Sequence, residues 1–175
     1  GLRRPDGTLA RYTSVCTPLV YRGDRLPSDV YGNVFVAEPA ANLVSRITLR
    51  EKDATLRAAK AWPDAEFLAS TDERFRPVFL SNAPDGALYL VDLYRGVSQH
   101  RISLTSYLRK QSEDRKLVGP QHLGRIYRIV PADRPAPRAT ALAALTSAQW
   151  VERLAHPNAF WRETAQRTLV ERGDA

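Results

Sequence analysis

The middle of the chain carries side chains that could bind a charged ligand. Arg76, Asp92, Arg95 and Asn42 are the candidates for this role. An arginine guanidinium holds an anionic group through bidentate hydrogen bonds, and a carboxylate can help to hold calcium. His100 could act as a general base, because the unperturbed pKa of an imidazole lies near neutrality. The sequence identifies no other catalytic candidate.

Each of these residues also has an ordinary structural interpretation. Arg76 and Asp92 can pair with each other across adjacent strands, and that pairing is the favoured interpretation of the two. Arg95, like Arg74, can simply be exposed to solvent, where an ion pair contributes little. A loop histidine such as His100 is more often structural or solvated than catalytic. The sequence leaves these alternatives open.

No metal-binding residue is predicted. His122 and His156 have no second ligand at a metal-binding spacing. His156 stands in a His-Pro-Asn turn, where a bond between its side chain and a backbone group is expected. The motifs CxxCH, HExxH and GxSxG and the glycine-rich phosphate loop do not occur. Cys16 is the only cysteine, so no internal disulfide can form.

The elements that must position the candidates are predicted to be β-strands. Residues 76–82 and 88–94 are apolar runs joined by a Pro-Asp-Gly sequence, which is typical of a tight hairpin turn. The second run is apolar on both faces, as expected for a strand covered on both sides. Residues 125–130 alternate isoleucine with arginine and supply a third strand.

Four more strands are predicted upstream, at residues 17–22, 33–38, 43–49 and 55–62, with a reversal at 39–42. Four successive strands correspond to one blade of a β-propeller, and the three downstream strands to a second blade that lacks one strand. Loops between second and third strands, and crossings between blades, emerge on one face of a propeller. That face would carry the ligand site, with Glu38, Asn42, Asp72, Arg74, Arg76, Asp92, Arg95 and His100.

Composition divides the chain into three segments. Residues 1–131 form the β-rich segment, with an insertion at about 97–123 whose centre predicts a helix that begins near Thr105. Residues 132–140 are a proline-rich linker, and residues 141–175 predict two helices separated by the His-Pro-Asn turn. One such helical pair cannot bury both of its faces, so Trp161 and Leu169 are expected to be exposed.

Charge and hydropathy exclude some classes of partner. The chain has 175 residues, of which 43% are hydrophobic and 26% charged, an ordinary composition for a soluble domain. Its net charge of +7 comes mostly from arginines scattered through all segments, so no nucleic-acid interface is predicted. No run approaches the roughly 20 apolar residues of a membrane span. The first residues lack the apolar core of a signal peptide, so an export signal would lie outside this chain.

The motifs FRPV, PDGALYLVDLYR and GRIYRIV together resemble the closing blade of the quinoprotein glucose/sorbosone dehydrogenase-like β-propellers. They are most similar to the bacterial membrane-bound dehydrogenase-type proteins, which join such a propeller to helical HEAT-like repeats and a cytochrome c domain. The segment YTSVCTPLVYRGDRLPSDVYGNVFVAEPAANLVSRITL resembles the preceding blade, and EFLASTDERFRPV the crossing between the two blades. HPNAFWRETAQR followed by LVERGD resembles the first helical repeat, so the resemblance covers almost the whole chain.

This resemblance implies a mainly β fold, with about two blades of a six-bladed-type propeller followed by a short α-helical HEAT-like hairpin. It further implies the C-terminal fragment of a PQQ-dependent sugar or alcohol dehydrogenase, not catalytic by itself. The complete protein would be periplasmic or extracellular and would use PQQ and calcium. It would pass electrons to a cytochrome c domain, and heme would bind only in that domain. The alternative is a non-catalytic propeller and helical-repeat scaffold that binds carbohydrate or protein.

Overall fold

The structure is a computed structural model that describes residue 5 and residues 10–98, 101–134 and 142–173. Within these residues the protein is mainly β, with eight strands in two antiparallel sheets and three α-helices. The described residues fall into two compact units. The first comprises Gly1–Leu19, Val34–Leu80 and Leu90–Tyr127, and the second comprises Val20–Asn33, Ser81–Tyr89 and Arg128–Ala175. The segment boundaries expected at 131 and 140 stay predictions.

The first sheet contains four strands in chain order and a short fifth strand that pairs with the third. The strands are β1 (Cys16–Val20), β2 (Val34–Glu38), β3 (Leu43–Lys52), β4 (Thr55–Lys60) and β5 (Leu68–Ala69). Burial decreases across the sheet, from β2, where four of five residues are buried, to β4, where all six are exposed. This gradient follows the sequence, because β2 is almost wholly apolar, whereas β4 contains Thr55, Arg57 and Lys60.

Two connections in this sheet are tight turns that contain residues with left-handed backbone angles. Asn42, at φ 57°, ends the reversal between β2 and β3, and asparagine tolerates this region better than most residues. Asp53 and Ala54 form the turn between β3 and β4, at φ 52° and 57°. The predicted reversal at 39–42 therefore lies where the sequence indicates, while β5 was not predicted because two residues give no periodic signal.

The second sheet has the order β6-β7-β8, with β6 (Pro77–Asn82), β7 (Leu88–Asp92) and β8 (Arg125–Ile129). Its first turn has the predicted hairpin form, because Gly86 takes φ +76° and its N–H donates to the carbonyl of Ala83 at 3.0 Å. Leu88 and Leu90 are completely buried, as the apolar run of β7 predicts.

An insertion between β7 and β8 contains helix α1 (Ser106–Asp114). The hydroxyl oxygen of Thr105 accepts a hydrogen bond from the N–H of Leu108 at 3.3 Å, so the predicted N-cap is confirmed. The helix ends at Asp114. Lys116 takes φ 55°, which is incompatible with continuing an α-helix.

The C-terminal helices are α2 (Ser147–Arg153) and α3 (Ala159–Arg172). They enclose a small core in which Trp150 is 2% exposed and Trp161 is 6% exposed, and Leu169 packs partly buried against them. The expectation that Trp161 is exposed is therefore wrong. Its ring lies 6.3 Å from that of Trp150, and its indole N–H donates to the carbonyl of Pro84 at 2.8 Å. The large aromatic surface is buried by the helical pair and the neighbouring hairpin turn of the same unit.

The turn between α2 and α3 is held by side chains that bond the backbone. His156 accepts a hydrogen bond at Nδ1 from the N–H of Asn158 at 3.0 Å, which confirms the expected role of this histidine. Asn158 is completely buried, caps α3 and donates to the carbonyl of Ala83 at 2.8 Å. Burial lowers the pKa of His156, and the positive charges of Arg153 and Arg162 add to that shift.

Candidate functional site

A cavity of about 610 Å³ lies within the first unit and is large enough for a small ligand. Four segments line it: the residues before β1, the β2–β3 turn, the residues leading into β6, and the insertion between β7 and β8. The lining residues are Thr13, Ser14, Pro39, Ala40, Asn42, Glu73, Arg76, Gly96, Val97, Ser98, Leu104, Leu108, Gln111, Ser112, Arg115 and Leu117.

Arg76 connects two of these segments. Its guanidinium donates to the carbonyl of Pro39 at 2.6 Å and to the carbonyls of Arg95 and Gly96 at 3.0 and 2.9 Å. Burial lowers the pKa of Arg76, and the nearby carboxylates of Glu73 and Asp92 oppose this shift. A guanidinium has five N–H groups, so two remain for a ligand after these three contacts.

Arg74 holds the residues of the insertion that follow α1. Its guanidinium donates to the carbonyl of Lys116 at 2.7 Å and to that of Gly119 at 3.0 Å. Arg76 therefore binds the start of the insertion and Arg74 binds the residues that follow α1, and we call this pair the arginine clamp. These two parts of the insertion also meet directly, since a Cβ placed on Gly96 would lie 2.6 Å from the Cβ of Leu117. Only glycine allows this approach of the two backbones.

Asp92 is completely buried behind the clamp. Its Oδ1 accepts hydrogen bonds from the backbone N–H groups of Arg76 at 2.7 Å and Tyr94 at 2.8 Å. Asp92 therefore contacts Arg76 through the backbone N–H of Arg76, while the guanidinium of Arg76 bonds carbonyl groups. The other oxygen, Oδ2, is buried and has no hydrogen-bond partner among the described residues.

Glu38 and Asn42 fix the β2–β3 turn. The completely buried carboxylate of Glu38 accepts hydrogen bonds from the N–H groups of Thr13, Ser14 and Ala40 at 3.1 to 3.2 Å. The side-chain amide of Asn42 donates to the carbonyl of Phe75. These contacts join the turn to the residues before β1 and to the residues leading into β6.

The remaining candidates lie in different places. Asp72 accepts a hydrogen bond from the N–H of Arg74 at 2.9 Å, which lowers the pKa of Asp72 together with the hydroxyl of Tyr94. Arg95 contributes its carbonyl to Arg76, but its side chain does not line the cavity. His100 lies outside the described residues. Of the four predicted binding residues, Arg76 and Asn42 therefore face the cavity, and Asp92 lies behind it.

Sequence reasoning missed the residues that α1 and the β5–β6 connection bring to the cavity. Arg115, the C-cap residue of α1, forms an ion pair with Glu73, and Gln111 lies one turn earlier, in α1. Leu104, Leu108, Gln111 and Arg115 recur every three or four residues, so the helical spacing gives a signal for this face. No sequence pattern identifies Glu73 as the ion-pair partner of Arg115, because the two residues are 42 positions apart.

The cavity does not fit PQQ or calcium on its own. A planar quinone binds best where an aromatic ring can stack on it, and none of the described lining residues is aromatic. Within the described ranges no three histidine, cysteine or acidic side chains gather to hold a metal ion. The part of the chain that the structure describes also contains no helix long and apolar enough to cross a membrane.

Comparison with known proteins gives a family but no activity. No curated protein matches the chain, and no solved structure matches it. The family described as a domain of unknown function (DUF7133) matches residues 2–133, which is more than half of the chain. A match of this extent, over the strands and loops that build the cavity, assigns the chain to the DUF7133 family.

Proposed function

We propose that the chain forms the C-terminal part of a quinoprotein glucose/sorbosone dehydrogenase-like β-propeller, followed by its first HEAT-like repeat. One observation supports this proposal above the others. The four segments that line the cavity are the ones that blade connectivity assigns to a single propeller face. These segments precede a first strand, join a second strand to a third, or cross from one sheet to the next. The consecutive order of β1 to β4 in the first sheet and of β6 to β8 in the second agrees with this arrangement.

In this proposal the chain supplies a wall of the ligand site and not the reacting groups. The arginine clamp fixes the insertion, and the insertion and the β2–β3 turn shape the cavity. PQQ and calcium would be held mainly by other parts of the complete protein, because the described lining does not fit either of them. PQQ, if bound in the complete protein, would supply the redox chemistry for oxidation of a sugar or alcohol, and a cytochrome c domain would be the electron-accepting partner. Such a protein acts in the periplasm or outside the cell.

A second candidate is a scaffold that binds carbohydrate or protein without a redox cofactor. The bonding of the predicted ligand residues favours it. Asn42, Arg76 and Asp92 all use their side chains to bond backbone groups, which is a structural role. The scaffold and the dehydrogenase share the propeller and differ only in what the cavity face binds.

Reconstitution of the intact protein with PQQ and calcium distinguishes the two candidates. Reduction of an electron-accepting dye in the presence of sugars or alcohols supports the dehydrogenase. The Arg76→Lys variant should then lose turnover, and Arg109→Lys on an exposed position of α1 should retain it. Absence of both turnover and PQQ binding rejects the dehydrogenase and leaves the scaffold.

A further inference from the structure

We propose that the cavity prefers a small polyhydroxylated carboxylate, such as a sugar acid, over the corresponding neutral sugar, and that Arg115 determines this preference. The inference rests on the proposed function in one respect only: this face of the molecule must bind a small ligand. It does not require a quinone or an oxidation step.

The charged groups of the lining give the first argument. Among the described lining residues there are two guanidiniums, Arg76 and Arg115, and one carboxylate, Glu73. The lining therefore carries an excess of one positive charge. A ligand with a single carboxylate would neutralise the lining, whereas with a neutral sugar only the carboxylate of Asp92 behind the lining would offset this charge.

Free hydrogen-bond donors give the second argument. Arg76 keeps two N–H groups after its three carbonyl contacts. Arg115 donates through Nη1 to Glu73, and its side chain is 54% exposed, so the rest of its guanidinium is open to a ligand. Carboxylates bind such planar donor groups in bidentate fashion. The carboxylate of Glu73 competes with a ligand carboxylate for the guanidinium of Arg115.

The uncharged part of the lining specifies the rest of the ligand. Hydroxyl groups of Thr13 and Ser14 and the amide of Gln111 can exchange hydrogen bonds with ligand hydroxyls. Leu104 and Leu108 supply an apolar wall. Because none of the described lining residues is aromatic, a neutral sugar gains no stacking interaction here. Charge is therefore the main source of discrimination between ligands of similar size.

Calorimetric titration of the intact protein at low salt with D-glucuronate, D-glucose and acetate tests the inference. Glucuronate and glucose differ at one carbon only, so their comparison isolates the carboxylate. We expect glucuronate to bind at least about tenfold more tightly than glucose, and acetate to bind more weakly than glucuronate. Equal affinity for glucuronate and glucose, or no heat of binding for any of the three, overturns the inference.

Two variants of the ion pair should change the preference in opposite directions. Arg115→Gln should reduce glucuronate affinity to the level of glucose, while Glu73→Gln should raise it because the competing carboxylate is removed. Arg109→Gln, on the same helix but away from the lining, should bind like the wild type. A preference that survives in Arg115→Gln contradicts the assignment. Failure of PQQ-dependent dye reduction has no effect on this readout, so the two proposals fail separately.

Discussion

Charged residues of the cavity region bond mainly to the backbone and not to one another. Glu38 and Asp92 are completely buried and accept backbone N–H groups, while Arg74 and Arg76 donate to backbone carbonyls. A buried charge is costly unless it is hydrogen-bonded, and Oδ2 of Asp92 and Nε of Arg74 have no partner among the described residues. The backbone contacts that these four residues do make hold the loops that line the cavity.

Replacement of Glu38 by glutamine should destabilise the protein. The amide retains one acceptor oxygen and turns an NH₂ group towards backbone donors, so the three N–H groups of Thr13, Ser14 and Ala40 can no longer all be satisfied. We expect a loss of about 2 kcal/mol in the free energy of unfolding, measured by urea denaturation at low protein concentration. Glu51→Gln, at the exposed end of β3, should change stability by less than about 0.5 kcal/mol. Equal effects of the two variants would contradict the structural role of Glu38.

At the scale of elements, the insertion depends on the arginine clamp. Arg76→Lys keeps the positive charge but cannot reach the carbonyls of Pro39, Arg95 and Gly96 together, because an ammonium lacks the planar fork of the guanidinium. We expect a loss of about 2 kcal/mol, since these carbonyls, of which that of Pro39 belongs to a buried residue, lose their partner. Urea unfolding and hydrogen exchange of the α1 amides measure the effect. Arg109→Lys is the matched control, and a clamp variant as stable as this control would show that the insertion is held by other contacts.

The α2–α3 turn should make stability depend on pH. The pKa of His156 is lowered in the folded protein, so between that pKa and the ordinary value of about 6.5 the unfolded chain binds more protons. Stability should therefore decrease as the pH falls from 7.5 through this window, and this contribution should become constant below the folded pKa. Protonation at Nδ1 would also remove the acceptor for the N–H of Asn158.

His156→Asn tests this effect, because asparagine offers an acceptor to the N–H two residues later but does not titrate. The free energy of unfolding of each protein is measured in urea at several pH values. As the pH is lowered, the wild type should lose stability relative to the variant. Parallel pH profiles of the two proteins would rule out His156 as the origin.

Local sequence patterns predicted most elements because each of them depends on neighbours in the chain. The Pro-Asp-Gly turn, the Thr105 cap and the His156 contact are all local and were predicted with their roles. The expected exposure of Trp161 was wrong, because Trp161 hydrogen-bonds to the carbonyl of Pro84, which is 77 residues away. The carbonyl contacts of the clamp were also beyond sequence reasoning, because they depend on the path of a loop. Charged residue types identify a region, but distant contacts decide what each side chain bonds.

At the scale of the whole molecule, both sheets present open edges in the described part of the chain. All six residues of β4 are exposed, and β8 exposes its backbone edge with Ile126 at 70%. Edge strands of this kind pair readily with other chains. We therefore expect the chain on its own to aggregate at high concentration.

Ile126→Lys should increase the fraction of soluble monomer severalfold, because a charge on an edge strand opposes intermolecular pairing. Light scattering during a concentration series measures this. Ile102→Lys is the matched control, since Ile102 is 87% exposed but lies in a short 3₁₀ helix outside both sheets. If both variants improve solubility equally, surface hydrophobicity and not the strand edge causes aggregation.

Because Gly96 and Leu117 lie in contact, the segment between them could be exchanged as a unit. Its two ends meet, so a short bridging linker could replace residues 97–116 with little displacement of β7 or β8. Loops from related proteins could be grafted at the same junction, which would exchange much of the cavity lining while retaining the strands. One segment could therefore be exchanged to change the cavity lining, provided that Gly96 and both clamp arginines are kept.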